Sequence, residues 1–279
     1  MSYKLETVSG GTPNLGDRAK IYLMPLNQPN LLSLNRANLQ ARKMGFSGSA
    51  QKITDTLYQW QKNKPLPTFL KMDIINYNFT IRKNWQEDQS LLEEKALPIR
   101  EQAIMEAKNF LQASGLLTDD LENGKAKVSY LRFTPPKLTP VLSPSEADFV
   151  RVYLFRDNLD NLPLLPPNPD KALVSVLISG SRNKEKRILE VEYTHFPIAK
   201  EIFATYPLKT SAQAWEELKS GKGFIANFKE GKTQITIRKI YLAYFENTIP
   251  QNYLQPIYVF EGNDDFVAYV PAIKSEWTK

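Results

Sequence analysis

Cysteine is absent from the 279-residue sequence. Its absence excludes disulfide bonds, thiolate catalysis and cysteine-containing metal sites together. It is compatible with the cytosol or with the exterior of a bacterial cell. It argues against a eukaryotic secreted domain, in which disulfides are common.

Histidine is nearly absent, because His195 is the only one in the sequence. Metal sites built on several histidines are therefore excluded. Histidine is the commonest general base near neutral pH, but a lone histidine beside aromatic residues is more often hydrogen-bonded within the structure. We expect a structural role for His195, and the sequence predicts no cofactor and no metal.

Long apolar runs are also lacking. No run reaches the roughly 18 residues that a membrane helix needs, and the first residues do not have the charged and then apolar pattern of a signal peptide. Two interpretations stay open at this point. The protein is either cytosolic, or it is the soluble part of a longer protein whose anchor was removed.

The net charge is +6 and the isoelectric point about 9.2, but the basic residues do not cluster. The densest run, from Arg182 to Arg187, lies between two predicted strands and is typical of a solvated hairpin loop. Nucleic-acid surfaces combine clustered bases with stacking aromatics on one platform. Since neither feature is found, nucleic acid is not a predicted partner.

Two short motifs resemble catalytic loops but lack the residues that the chemistry needs. Ser220-Gly221-Lys222-Gly223 lacks the spaced glycine and the Lys-Ser/Thr step of a phosphate-binding loop, and it follows a predicted helix instead of preceding one. Ser179-Gly180-Ser181 lacks the Gly-x-Ser-x-Gly frame of a nucleophile elbow. Neither motif predicts an active site.

Adjacent carboxylates occur at Asp119-Asp120, Glu216-Glu217 and Asp264-Asp265. Neighbouring side chains diverge on a helix and on a strand, so such pairs rarely share a site. Asp264-Asp265 belongs to Gly262-Asn263-Asp264-Asp265, which is typical of a turn between two strands. An enzyme that uses carboxylates alone stays open as an alternative.

The rest of the sequence favours helices that end at glycine and are followed by strands. Three helices are predicted: Ser33 to Met44 with Ser33 as N-cap, Ile99 to Ser114 after Pro98, and Ser211 to Lys219 capped by Thr210 or Ser211. Gly45, Gly115 and Gly221 would end them. Strands are predicted at residues 3–8, 19–23, 54–61, 68–75, 77–82, 126–133, 149–155, 173–178, 187–193, 234–245, 256–261 and 266–270.

This pattern predicts an α+β fold of two lobes, each with helices packed on a twisted antiparallel β-sheet. The polar segment at residues 86–97 is the best candidate boundary, which gives lobes at residues 1–90 and 91–279. Between about Thr210 and Ile273, the second lobe would end in a helix and an antiparallel meander. We interpret this last part as a binding or regulatory module.

Aromatic residues are concentrated in that last part of the chain. We expect most of them in the core or half-buried in a sheet, but some could form an exposed face that binds a peptide or a glycan. The candidate partner-binding residues are Tyr241, Tyr244, Tyr253, Tyr258 and Trp215.

Three segments of the C-terminal part resemble bacterial YycH/YycI-like proteins, which are related in architecture to PepSY-type modules. They are Thr210 to Leu218, Ile237 to Tyr244 and Leu254 to Phe260. The shared order is a helix bearing Ala and Leu, a strand ending in Leu-x-Tyr, and a strand with a Pro-aromatic pattern. The resemblance covers about the last 65 residues, and the helix-and-strand pattern upstream follows it loosely.

Three further segments resemble uncharacterised envelope proteins of uncultivated bacteria: Ser145 to Val152, Thr205 to Thr210 and Ala268 to Ala272. Both resemblances imply an extracytoplasmic protein held by one N-terminal membrane helix, although the sequence itself contains no such anchor. It would bind another envelope protein, such as a sensor kinase or a peptidase, and no catalytic residues carry over. The preferred function is therefore a non-enzymatic extracytoplasmic binding or regulatory protein.

Two other functions stay open: an enzyme that acts on the cell wall or on glycans through carboxylates, and a soluble scaffold. The oligomeric state is open as well. Open sheet edges favour dimerisation, whereas prolines at strand ends favour protected edges.

Overall fold

The computed structural model describes residues 2–277. Helices make up 19% and strands 38% of the chain in several antiparallel sheets, so the predicted α+β class is correct. The α-helices are α1 Ser33–Lys43, α2 Ser90–Glu93, α3 Arg100–Ala113, α4 Asp119–Asn123, α5 Lys184–Arg187 and α6 Ser211–Lys219. Two 3₁₀ turns lie at Pro144–Glu146 and Ser275–Trp277.

Strands are numbered in chain order. They are β1 Ser2–Leu5, β2 Arg18–Leu23, β3 Gln51–Lys52, β4 Leu57–Lys62, β5 Thr68–Asp73, β6 Phe79–Lys83, β7 Ala126–Thr134, β8 Lys137–Val141, β9 Phe149–Leu154, β10 Leu164–Leu165, β11 Val174–Ser179, β12 Ile188–Tyr193, β13 Ala199–Pro207, β14 Phe224–Asn227, β15 Gln234–Phe245, β16 Tyr253–Leu254, β17 Pro256–Gly262 and β18 Val267–Pro271. Every predicted strand overlaps an observed one, but β3, β8, β10, β13, β14 and β16 were not predicted.

The chain forms two compact units, and each is built from separate stretches. The first unit contains residues 2–26, 158–171 and 196–277, and the second contains residues 27–157 and 172–195. These units differ from the predicted lobes at 1–90 and 91–279. The polar segment at residues 86–97 does not separate them, because β6 before it pairs with β12 far beyond it, with Arg82 opposite Glu190.

The second unit is a nine-stranded antiparallel sheet in the order β3-β4-β5-β6-β12-β11-β9-β7-β8. Alanine and leucine side chains of α1 and α3 pack with the sheet residues of the main core, and Ala37, Ala107 and Leu111 are fully buried there. Alanines at helical spacing let a helix approach the strands closely. A smaller apolar cluster around Trp85 and Phe149 uses side chains from the alternate positions of the same strands.

The three predicted helix ends are confirmed. Gly45, Gly115 and Gly221 all adopt φ between 69° and 82°, the left-handed conformation that glycine accepts without strain. Thr210 caps α6 in a capping box, in which its Oγ1 accepts from the Gln213 amide and Gln213 bonds back to the Thr210 N–H. Ser33 is not the N-cap of α1, because Leu32 holds that position and the Ser33 Oγ accepts from the Asn30 amide instead.

The first unit contains a six-stranded sheet in the order β1-β15-β17-β18-β14, with β10 also paired to β15. Strands β15, β17 and β18 form the predicted antiparallel meander, while β1 and β10 run parallel to β15. Asp264 and Asp265 form the predicted turn between β17 and β18, both with positive φ. A separate three-stranded sheet has the order β13-β2-β16.

Candidate binding groove

The three-stranded sheet of the first unit has one covered face and one partly open face. Its central strand β2 buries Tyr22 on one face, whereas Ile21 and Leu23 on the opposite face are half-buried. Tyr253 of β16 lies opposite Leu23 and is exposed. Because successive side chains of a strand point to opposite faces, these residues mark one open apolar face.

This face forms a groove of about 580 Å³. Three of the large apolar side chains that line it are about half exposed: Ile202 at 56%, Tyr253 at 52% and Trp277 at 55%. Phe203 also borders the groove, but it lies opposite Tyr22 and its ring packs on the covered face. The remaining lining residues are Ile21, Leu23, Ala204, Tyr206 and Gln255. No carboxylate or amine belongs to this lining within the described part of the chain, so the groove is suited to bind apolar groups.

One wall of the groove is placed by the end of the described chain. Leu208 forms an isolated antiparallel bridge with Ile273, and the turn that contains Trp277 follows directly. The Trp277 ring then meets the ring of Tyr206 edge-on, with centroids 5.9 Å apart. Edge-to-face contacts of this kind hold two aromatic rings in a defined orientation.

The covered face of the sheet packs against β15 and supports the strands that form the groove. The ring of Tyr22 lies 5.6 Å from Phe203 and 5.8 Å from Tyr244, and the Tyr244 hydroxyl donates to the backbone oxygen of Lys20 at 3.1 Å. The Lys20 ammonium sits 4.4 Å from the centre of the Phe203 ring. These contacts fix β2 and β13 before any partner binds.

A tyrosine–carboxylate pair completes this support. The Tyr22 hydroxyl donates to Asp160, which also pairs with Lys20 at 3.1 Å. Burial raises the pKa of Tyr22, and the hydrogen bond to Asp160 raises it further. Tyr22 is therefore a neutral hydrogen-bond donor at physiological pH, with a structural role.

The five predicted partner-binding residues do not lie together at one surface. Tyr253 lines the groove, but Tyr244, Tyr258 and Trp215 are buried. Tyr241 is half-buried and donates to Glu261 at 2.5 Å; burial and this bond raise its pKa. Only Tyr253 therefore offers a large surface to a partner among these five.

The buried candidates have structural contacts. The Tyr258 hydroxyl donates to the backbone oxygen of Lys209 at 2.7 Å, and Trp215 packs 6.0 Å from Phe260. Sequence reasoning missed Phe203 and Tyr206, the groove residues of β13. No sequence signal marked them, because β13 is exposed along both faces and has no alternation of apolar and polar residues.

His195 belongs to a polar cluster in the second unit. Its Nε2 atom lies 3.1 and 3.2 Å from the two carboxylate oxygens of Asp120 and 3.3 Å from the Thr118 hydroxyl. Asp120 also accepts from Nε of Arg156 at 2.5 Å. Both carboxylate oxygens are engaged with neighbours, which is typical of a structural ion pair.

The adjacent carboxylates Asp119 and Asp120 diverge as predicted, whereas Glu216 and Glu217 border one hollow. Asp120 enters the histidine cluster while Asp119 is exposed. Glu217 accepts two bonds from the Lys209 ammonium, at 2.7 and 2.8 Å, whereas Glu216 is exposed. Both glutamates line a wide hollow of about 530 Å³ beside Glu276. The Lys209 ammonium is thus shared by both oxygens of Glu217, which is typical of a salt bridge.

The two motifs that resemble catalytic loops have structural roles. Ser179 is buried and its hydroxyl donates to the backbone oxygen of Lys186 at 2.7 Å, inside the predicted hairpin loop. Lys222 after α6 donates its backbone N–H to the oxygen of Glu217 at 3.0 Å, which closes the helix end. Neither presents a nucleophile or a phosphate cradle.

No helix within residues 2–277 is long and apolar enough to cross a membrane. No protein-family model matches the chain, and no curated protein matches it either. Among solved structures, it is similar to an uncharacterized protein from Eubacterium rectale ATCC 33656, with 11% identity and a TM-score of 0.39 over 93% of this chain and 84% of that one.

Proposed function

We propose that this protein is a non-enzymatic binding or regulatory protein that acts through protein–protein contacts, and that the groove on the sheet β13-β2-β16 is its contact surface. The observation that supports the proposal is the cluster of half-exposed large apolar side chains in one groove: Ile202, Tyr253 and Trp277. Clustered exposure of this kind marks interaction sites on soluble proteins.

The composition of the groove favours a protein partner. Tyrosine and tryptophan are the residues on which binding energy concentrates at protein interfaces, and they do so best in a prepacked site. Tyr253 and Trp277 provide such side chains, while Ile21 and Leu23 provide an aliphatic surface between them. A partner would insert aliphatic or aromatic side chains here, with the amide of Gln255 as the polar contact.

We infer the class of partner and the location from the resemblance to YycH/YycI-like proteins with PepSY-type architecture. The helix α6 and the meander of β15, β17 and β18 support this inference, because they have the order of elements that the resemblance implies. On this proposal the protein works outside the cytoplasm, held by an N-terminal anchor, and binds a sensor kinase or a peptidase of the envelope. Recovery of the native protein only in the cytosolic fraction of its cell would contradict the location.

The binding surface can be tested by photo-crosslinking in the source cell. A photoreactive phenylalanine analogue replaces Tyr253 in the groove, and the matched control places it at Leu39, an equally exposed residue of α1. We expect a discrete crosslinked protein from position 253 and none from position 39. The added substitution Ile202→Asp should abolish it while the circular dichroism spectrum is unchanged.

Two results would contradict the proposal. One is the same pattern of crosslinks from both positions, which indicates unspecific collisions. The other is a crosslink at position 253 that survives Ile202→Asp, because a charge at this rim residue should exclude an apolar partner.

A further inference from the structure

Strand β13 is at the edge of its sheet, and the stretch from residue 200 to residue 205 is exposed along its length. Its register with β2 is interrupted between Ala199 and Phe203, so no residue of β2 lies opposite 200–202. An edge of this kind presents unpaired backbone groups that can pair with another strand.

The hydrogen bonds of β2 show which backbone groups of β13 face outward. Leu208 donates to Asp17 at 2.8 Å, so this opposed pair is hydrogen-bonded. In antiparallel strands the opposed pairs alternate between bonded and non-bonded. Counting along the register, the pairs Thr205–Lys20 and Phe203–Tyr22 are therefore non-bonded.

The hydrogen bonds on the other side of β2 lead to the same assignment. Met24 donates toward β16, to Asn252 at 2.8 Å, and the oxygen of Lys20 accepts from the Tyr244 hydroxyl. The even residues of β2 thus face away from β13. It follows that the N–H and C=O groups of Phe203 and Thr205 point to the open edge.

We propose that this edge pairs with the same edge of a second copy of the chain, antiparallel and about a two-fold axis at Phe203. In this register Phe203 lies opposite Phe203 of the second copy, and Thr205 lies opposite Glu201. The Phe203 pair can exchange two backbone hydrogen bonds, and the outward N–H of Thr205 extends the ladder toward Glu201 of the second copy. The contact is isologous: the same patch is used on both copies.

The charges of the edge are complementary in this register. Glu201 lies two residues before Phe203, which is opposite Tyr22, and its charge is among those that act on Tyr22. The Arg18 guanidinium also reaches β13, where it donates to the backbone oxygen of Thr205 at 3.4 Å. Since Glu201 of the second copy lies opposite Thr205, it meets Arg18, and the symmetry repeats this ion pair.

The length of the ladder is limited at one end by the chain itself. Lys274 donates to the oxygen of Pro207 at 3.4 Å, and Ile273 bridges Leu208, so the edge is already occupied from residue 207 onward. The free stretch therefore runs from Glu201 to Thr205 in each copy. A short ladder closed by a two-fold axis uses the β13 edge of both copies, so the contact ends at two chains.

This pairing goes beyond the proposed function. A two-fold axis perpendicular to the sheet keeps the same face of both sheets on one side. The grooves of the two copies, each bounded by Ile202 and Ala204, would then lie next to each other. The dimer would present one continuous apolar surface of twice the length.

The register can be tested with a single cysteine, since the chain contains none. In Phe203→Cys the two cysteines of the dimer lie directly opposite, about 5.5 Å apart between Cα atoms, which is within the range of a disulfide. We expect a disulfide-linked dimer under mild oxidation at micromolar concentration. The matched control Thr205→Cys should give no disulfide-linked dimer on a non-reducing denaturing gel. Its two cysteines are roughly 14 Å apart along the strands.

The forces can be tested by sedimentation equilibrium of the complete chain. The unmodified chain should be a dimer. Glu201→Arg and Arg18→Glu should each weaken it at least about tenfold, and the double variant should restore it. Thr205→Pro removes an outward N–H and should also weaken the dimer, whereas Thr205→Val should not.

Circular dichroism verifies the fold of each variant. A chain that is monomeric up to about 100 µM overturns the proposal. A dimer in which Phe203→Cys and Thr205→Cys crosslink equally, or in which the double charge variant is as weak as the single ones, overturns the register.

Discussion

The Nε2 atom of His195 lies 3.1 Å from Oδ2 of Asp120, although the two residues are 75 positions apart in the chain. Burial alone would raise the pKa of the Asp120 carboxyl. The hydrogen bond from His195 and the charges of Arg156 and His195 outweigh burial and hold the pKa well below its ordinary value. The cluster therefore stabilises the fold as long as Asp120 is ionised.

Replacement of Asp120 by asparagine should lower the free energy of unfolding by about 3–5 kcal/mol at pH 7, because it removes the carboxylate partner of two buried groups. The pH dependence follows from the lowered pKa. Stability from Asp120 is complete above the unfolded-state pKa of about 3.9 and is lost as the pH falls below it. Urea unfolding between pH 7 and pH 2 measures both effects.

Asp119→Asn is the matched control, since Asp119 is the adjacent residue and is exposed. It should change stability by less than about 0.5 kcal/mol and keep the normal acid dependence. Equal unfolding free energies for Asp120→Asn and the unmodified protein would show that the cluster contributes nothing.

Lys83 should destabilise the folded protein near neutral pH. Only 9% of it is exposed, and its ammonium donates to the backbone oxygen of Glu185. Burial, followed by the charge of Lys62, lowers the pKa of Lys83 to about 8, while the charge of Glu185 opposes this shift. The unfolded chain therefore holds more protons above pH 8, so stability should rise between about pH 8 and pH 10.5, the ordinary value for lysine.

Lys83→Met should remove this rise and increase the unfolding free energy at pH 7 by roughly 2 kcal/mol. The pKa shift corresponds to roughly 3 kcal/mol, and the lost hydrogen bond offsets about 1 kcal/mol. Lys71→Met, at an exposed position of the neighbouring strand β5, is the control and should have little effect. An NMR titration in which the Lys83 amine has a pKa above 10 would refute the explanation.

Local features of the fold could be predicted from the sequence because short segments specify them. Gly45, Gly115 and Gly221 end helices through their own backbone preference, and Asp264-Asp265 makes a turn through its side chains. The sheet order could not be predicted. The parallel pairing of Ser2 with Gln234, for example, depends on contacts between segments far apart in sequence.

The groove could be predicted only at Tyr253. The aromatic residues of β17 gave no indication of an inward or outward face, because this strand is buried on both faces from Pro256 to Phe260. An alternating pattern is informative only where one face meets solvent. The groove residues of β13 could not be predicted for a different reason. This strand is exposed on both faces, so its sequence has no alternation and resembles that of a loop.

Gly180 has a steric role that its place in Ser179-Gly180-Ser181 does not suggest. A Cβ atom at this position would lie 2.0 Å from the backbone oxygen of Glu94 and 2.9 Å from the backbone nitrogen of Ala96. The segment around Glu94 therefore lies directly against the end of β11. Gly180→Ala should force these backbones apart and lower the free energy of unfolding by about 1–3 kcal/mol, as overpacking does elsewhere.

Gly48→Ala is the matched control in the same unit. Its added Cβ would meet the Gln61 oxygen at 3.5 Å, an ordinary contact, so stability should be unchanged or slightly higher. Urea unfolding of both variants measures the difference. If Gly180→Ala is as stable as Gly48→Ala, the close approach to Glu94 is not what requires glycine at this position.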